Sequence, residues 1–200
     1  MEDIFRQAED RANTLDDRVS SLSQVLYLMY LARERKASSI AEIGFSIGYS
    51  SIAFLESSPS VEVTSFEIHN EAHVKSAKEF IDSRYPDRHH LIYGDSTQTV
   101  PAFQVPRSAD GFDLIFIDGG HEYACAKADI TNARRLAKPG ATLVINSLTP
   151  WFKWGIGPTT AWEEAVRDEI VTPLEYVSDA FAVSRPQGPA QRAWAVGQYQ

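Results

Sequence analysis

Two hundred residues of ordinary globular composition suffice for one domain with a sizeable core. A net charge of −8 and a pI near 5.1 weigh against a nucleic-acid-binding surface, and the longest early apolar run, Val25 to Ala32, falls far short of the roughly 20 residues a membrane span needs. The single Cys125 excludes an intramolecular disulfide. Together with an N-terminus, Met1 to Ile4, that is neither basic nor apolar, it points to a cytoplasmic protein serving small-molecule or protein partners.

A short helix is expected over Glu2 to Asp17 and a second over Ser20 to Lys36, where Leu22, Val25, Leu26, Met29 and Ala32 recur at helical spacing. Ser38 to Ile43 is short and mostly apolar, as a buried strand is, and a helix opens at Tyr49 with Ile52, Ala53 and Leu55. Val61 to Phe66 reads as a second strand. Asn70 then offers a cap for a helix to Arg84 that turns Ala72, Ala77, Phe80 and Ile81 inward, closed by Pro86. His90 to Tyr93 and Phe112 to Ile117 read as strands three and four, Glu122 to Lys138 as a helix, and Ala141 to Asn146 as a fifth strand after a Pro139-Gly140 stop. A helix starting at Pro158-Thr159-Thr160, with Trp162, Ala165, Val166 and Ile170 inward, leads to short strands at Leu174 to Val177, Ala180 to Ser184 and Arg192 to Gly197, with Pro186 to Pro189 turning between the last two.

Alternating strands and helices predict a doubly wound α/β fold: a Rossmann-like, mostly parallel sheet finished by a C-terminal antiparallel hairpin. The organisation expected is one domain over 1–200, with 1–36 as a helical cap on a core of 37–200. Ligands of such sheets sit at the carboxyl ends of the strands. Four acids fall there: Glu42, Glu67, Asp95 and Asp118. The turn Gly44-Phe45-Ser46-Ile47-Gly48 lets backbone approach a ligand, because glycine has no Cβ and the following helix start offers free N–H groups. Glu67, 23 residues beyond Gly44, can accept from both ribose hydroxyls of a nucleoside held on that turn, while Asp95 either accepts from an adenine amino group or caps a helix. Ser46 and Tyr49 break the dinucleotide pattern G-x-G-x-x-G, and no phosphate-binding Gly-Lys-Ser/Thr run occurs.

The run Glu42-Ile43-Gly44-Phe45-Ser46-Ile47-Gly48-Tyr49-Ser50, followed by Glu67, Gly94-Asp95 and Phe112 to His121, resembles class I S-adenosylmethionine-dependent methyltransferases, nearest to small-molecule O-methyltransferases of the caffeoyl-CoA and catechol type. The resemblance spans residues 20 to 165. It implies S-adenosyl-L-methionine as cofactor, held by Glu42, Gly44, Phe45, Ser46, Gly48 and Ser50 at the first turn, Glu67 and Ile68 at the ribose, Gly94, Asp95 and Ser96 beside adenine, and Asp118 and Gly119 after the fourth strand. The acceptor implied is a small hydroxylated molecule, with no nucleic acid and no membrane as partner. Two readings stay open beside O-methylation: a non-catalytic cofactor-binding module, and an enzyme of this fold with other chemistry.

Relatives of that type bind a divalent metal through an acid after the fourth strand and an Asp-Asn pair after the fifth. Here Asp118 matches, but Asn146-Ser147 stands at the pair, so a site built on Asp118 and Asn146 lacks one charge and a divalent metal is doubtful. An oxygen acceptor must lose a proton. His121 after Gly119-Gly120 is the first candidate base, with a helix cap or pocket lining as its alternatives, and His69 is the second. His73, His89 and His90 read as surface or strand residues, and Cys125 as packing. The aromatic loop Trp151 to Gly157 suits an acceptor, an anchor of the loop to the core or a homodimer contact, and Tyr27 and Tyr30 offer a lid if their helix crosses the pocket.

Overall fold

The structure is a computed structural model that describes Asp3, Arg6 and residues 22–105 and 110–200. The helix expected over Glu2 to Asp17 lies outside the described residues, Asp3 and Arg6 excepted. The elements in chain order are α1 (Leu22–Glu34), β1 (Ser39–Ile43), α2 (Tyr49–Ser57), β2 (Glu62–Glu67), α3 (Ala72–Arg84), β3 (His89–Tyr93), α4 (Ser96–Ala102), β4 (Phe112–Ile117), α5 (Tyr123–Arg134), β5 (Ala137–Ile145), α6 (Ile156–Arg167), β6 (Val171–Ser178), β7 (Phe181–Val183) and β8 (Ala193–Tyr199).

Among the described residues the strands form one sheet in the order β3-β2-β1-β4-β5-β8-β6-β7. β1 to β5 pair in parallel, and β8 inserts antiparallel between β5 and β6, with β7 folded back on β6. This is a Rossmann-like, mostly parallel sheet finished by antiparallel strands. Side chains alternate across the sheet, as the period of a strand requires. Ile40, Val63, Leu114, Phe116, Val144 and Trp194 face the core shared with α1, α2 and α3. Ala41, Ile43, Ile115, Ile117, Leu143 and Ile145 face the core shared with α4, α5 and α6.

Several expectations need correction. On α1 the buried stripe is Gln24, Val25, Leu28, Met29, Leu31 and Ala32, while Leu22 and Leu26 are 46% and 38% exposed. Glu71 rather than Asn70 precedes α3 and no side chain caps it; Phe80 and Ile81 are buried and Ala77 packs on the core as expected, but Val74 joins them and Ala72 is exposed. α5 stops at Arg134 and β5 has already begun at Ala137, so Pro139-Gly140 lies inside the strand, beside a register shift at Phe112/Leu114 where the ladder can lose an N–H. α6 begins two residues before Pro158, directly after a 3₁₀ turn at Lys153–Gly155. α4 was foreseen only through its cap, as one of the two readings of Asp95: it carries Pro101, and only Val100 is buried, so it has almost no apolar periodicity to read.

Candidate active site

The chain runs outward from β1 to β2 and β3, then returns to lay β4 on the other side of β1, which opens a crevice at the carboxyl ends of β1 and β4. A cavity of about 1240 Å³ lies there. Because β8 is antiparallel, its first residue, Ala193, and the preceding Gln191 and Arg192 reach the same edge. At the floor of the crevice the two strand ends touch: Asp118 N donates to Ile43 O at 2.8 Å, and a Cβ on Gly44, whose φ is +94°, would lie 2.2 Å from the Asp118 carbonyl oxygen. Only glycine fits there.

On the β1–β3 side, Gly44, Phe45, Ser46, Ser50, Glu67, Ile68, Gly94, Asp95 and Ser96 border the cavity, and Gly119 borders it after β4. The Glu67 carboxylate pins the first turn: Oε2 accepts from Phe45 N at 2.9 Å and Ser46 N at 2.7 Å, and Oε1 from His69 N at 2.8 Å. Ser46 is held at φ 51°, a left-handed conformation uncommon for a residue with a side chain. Asp95 is the cap of α4, with Oδ1 accepting from Thr97 N at 2.8 Å and Thr97 Oγ1 at 2.7 Å.

Glu42 and Gly48, both expected at the cofactor, do not border the cavity. Gly48 sits at φ 78° just ahead of α2, where a Cβ would strike Ile81 and the Phe45 ring. Glu42 points into the sheet and is fully buried, its Oε2 accepting from Ser51 Oγ and, at 2.6 Å, from Ser65 Oγ. Burial pushes its pKa up to about 7 against the opposing hydrogen bonds from Ser50, Ser51 and Ser65. Its neighbour His89, 3.0 Å from Ser65 Oγ and stacked on Phe45, is driven down to about 3, chiefly by burial. The pair is therefore neutral over the mildly acidic range.

On the β4–β5 side, Asp118, His121, Asn146, Ser147, Phe152 and Trp154 meet. Asp118 Oδ1 accepts from Asn146 Nδ2 at 2.9 Å, and Asn146 Oδ1 accepts from Gln24 Nε2 at 2.8 Å. Burial raises the Asp118 pKa, opposed by the Asn146 hydrogen bond and the charges of His121 and Arg192. His121 Nε2 lies 3.1 Å from Ser147 Oγ and its ring 5.6 Å from that of Trp154. Ser147 is the second left-handed serine at the cavity, at φ 67°.

The aromatic loop divides its labour. Phe152 and Trp154 stack on one another, centroids 5.3 Å apart, and face the cavity, whereas Trp151 packs inward and donates Nε1–H to Ala190 O at 2.8 Å. Tyr27 and Tyr30 form no lid. Tyr27 packs edge-on against Trp194 and donates to Glu175, and Tyr30 is exposed away from the cavity. His69 borders the cavity on the β2 side, tied to Glu71 at 3.2 Å, apart from the aromatic wall. Cys125 borders it too, but burial and Asp129 raise its pKa and keep the thiol protonated.

The Asp118–Asn146 spot does not fit a divalent cation. Asn146 presents N–H, not oxygen, toward Asp118, and among the described residues no three His, Cys, Asp or Glu side chains converge to hold a metal. No helix of the described residues is long and apolar enough to cross a membrane.

Residues 41–148, more than half of the chain and running from within β1 into the loop after β5, match the family described as a methyltransferase domain. The chain belongs to this family. Solved structures share its fold. Cofactor-bound Rv0187 from MTB is 20% identical with a TM-score of 0.81, covering 98% of this chain and 89% of that one. The O-methyltransferase TomG of Streptomyces achromogenes, in complex with SAM, is 21% identical with a TM-score of 0.77 over 100% and 90% of the two chains. An O-methyltransferase from Bacillus cereus in complex with SAH is 21% identical with a TM-score of 0.75, again over 100% and 90%.

Among the residues that escaped the sequence reading, Gln191 and Arg192 border the cavity, while Gln24 and Asp129 lie behind it, against Asn146 and Gly119. Gln24 had a signal, a polar residue beside core-facing Val25 and Leu28. Asp129, fully buried with its pKa raised by burial to about 6, lies under Gly119 on the inward face of α5. Gln191 and Arg192 carry none, because their place depends on β8 running backward into the sheet.

Proposed function

We propose that this methyltransferase takes its methyl group from S-adenosylmethionine and transfers it to a hydroxyl oxygen of a small-molecule acceptor. The observation that carries the reading is the first turn: Gly44 lies against the Asp118 carbonyl, and Glu67 locks the Phe45 and Ser46 amides at the floor of the cavity. That cradle fits a nucleoside donor. Three of roughly four acceptor sites on the Glu67 carboxylate are filled by backbone N–H, leaving one for a ribose hydroxyl. Asp95 keeps Oδ2 for an adenine amino group, Ile68 and Gly94 flank the base, and Ser50 lies at the methionine end between Glu42 and the cavity.

Bound there, the donor supplies an electrophilic methyl on a sulfonium. The chain's own part is to hold the acceptor at near-attack distance, exclude water and take one proton. Phe152 and Trp154 wall the acceptor space. With Nε2–H donating to Ser147, His121 has Nδ1 left as the atom that takes the hydroxyl proton. Calorimetric titration with S-adenosylmethionine and S-adenosylhomocysteine tests the donor; absence of binding to either sinks the reading. Mass spectrometry of hydroxylated acceptors incubated with methyl-labelled donor tests the reaction, and donor binding without labelled product across a broad panel supports a non-catalytic module instead.

A further inference from the structure

Gln24 is a polar side chain with no exposed surface, on a helix whose adjacent Val25, Leu28 and Met29 pack in the core. Such a group is unfavourable inside unless it is hydrogen-bonded. Its Nε2 reaches across 122 positions of sequence to Asn146 Oδ1, and Asn146 Nδ2 in turn donates to Asp118 Oδ1. A carboxamide has one oxygen and one NH₂, so the first contact decides the second. With its oxygen committed to Gln24, Asn146 can face Asp118 only with N–H.

A cation between Asp118 and Asn146 requires the opposite sense. Turning the Asn146 amide alone would set its NH₂ against the Gln24 NH₂, donor to donor in a buried place, so the reversed sense needs both amides to turn together and strips Asp118 of its hydrogen bond. The backbone gives no relief: Asn146 N donates to Ile117 O at 2.9 Å and the next residue, Ser147, is already left-handed. We infer that the Gln24–Asn146–Asp118 relay stands in place of a divalent cation, with Gln24 as the positioning residue that sets the direction of the Asn146 amide and so excludes metal. The inference rests on the methyltransferase reading for its consequence, which is that acceptor activation falls to protein groups.

The test is titration of Mn²⁺ alone into the full chain, followed by water-proton relaxation, for wild type, Asn146→Asp and Gln24→Met. Wild type is expected to bind Mn²⁺ only weakly, with a Kd of about 1 mM or above that titration into the millimolar range still reads. Asn146→Asp is expected to gain about 100-fold or more by adding an anionic oxygen. Gln24→Met, which leaves both candidate ligands untouched and removes only the lock, is expected to gain about 3- to 10-fold, the weight of one net hydrogen bond. A merely structural Gln24 would leave Mn²⁺ affinity unmoved. Should Gln24→Met not fold, Gln24→Asn, one methylene too short to reach Asn146, makes the same cut. Wild-type binding as tight as that of Asn146→Asp, or an affinity unchanged by loss of the Gln24 contact, overturns the relay. A parallel titration with S-adenosylhomocysteine keeps the two readings apart: if no protein binds it, the donor assignment fails while the Mn²⁺ result still decides the relay.

Discussion

The two halves of the cavity are built by different means. Around β1 to β3 the shape is set by backbone: a left-handed glycine and serine, a carboxylate holding three main-chain amides, and a capped short helix. Around β4 and β5 it is set by side chains delivered from distant parts of the chain, Gln24 from α1, Phe152 and Trp154 from a loop, Arg192 from the approach to β8. A backbone-built half is rigid and indifferent to most substitutions, whereas a side-chain-built half can be retuned one residue at a time. That division suits a fixed donor and a variable acceptor.

The division can be broken at Gly44. Gly44→Ala forces a Cβ into the Asp118 carbonyl at a positive φ, and we expect loss of about 4 kcal/mol or more in urea unfolding together with all measurable S-adenosylhomocysteine binding. Next in size, His121→Ala is expected to slow methyl transfer by about 10²- to 10⁴-fold while donor affinity from calorimetry stays within about 2-fold, as separate halves require. Equal losses in both would show that the halves are not independent. Glu67→Ala is expected to weaken S-adenosylhomocysteine binding by about 100-fold, since the Phe45 and Ser46 amides lose their anchor along with any ribose contact.

How much was readable follows the same line. The Gly44 turn, Glu67, Asp95 and Asp118 are local signals, each defined by a few neighbouring residues and a strand end, and the strands that carry them came out within a residue or two of the structure. Glu42 misled because its place in the motif says nothing about which way its side chain leaves the strand; it turned toward Ser51 and Ser65. Pro139-Gly140 reads locally as a stop, but pairing with Phe112 carries β5 through it. Gln24 could be seen as odd but not as aimed at Asn146, because no local rule spans α1 to the loop after β5.

Two smaller effects sharpen the picture. Glu42 favours its protonated form in the fold, so the folded state binds a proton the unfolded chain has lost, and stability should fall as pH rises from about 4.5 to about 7, by no more than about 3 kcal/mol. Glu42→Gln should flatten that slope in thermal melts taken across the same range, and an unchanged slope would clear Glu42 of it. Trp154→Ala, at a side chain 41% exposed and stacked on Phe152, should raise KM for the acceptor by about 3- to 10-fold and leave kcat nearly unaltered.

The insertion of β8 between β5 and β6 also orders events during synthesis. β5 leaves the ribosome with one edge paired to β4 and the other bare, and its second partner is not made until residues 193 to 199 follow. Until then an apolar strand edge stands open and the wall formed by Gln191 to Ala193 is missing from the cavity. A nascent chain can therefore fold its β1–β3 half early, yet it acquires a closed acceptor space only when its last described strand slides into the gap.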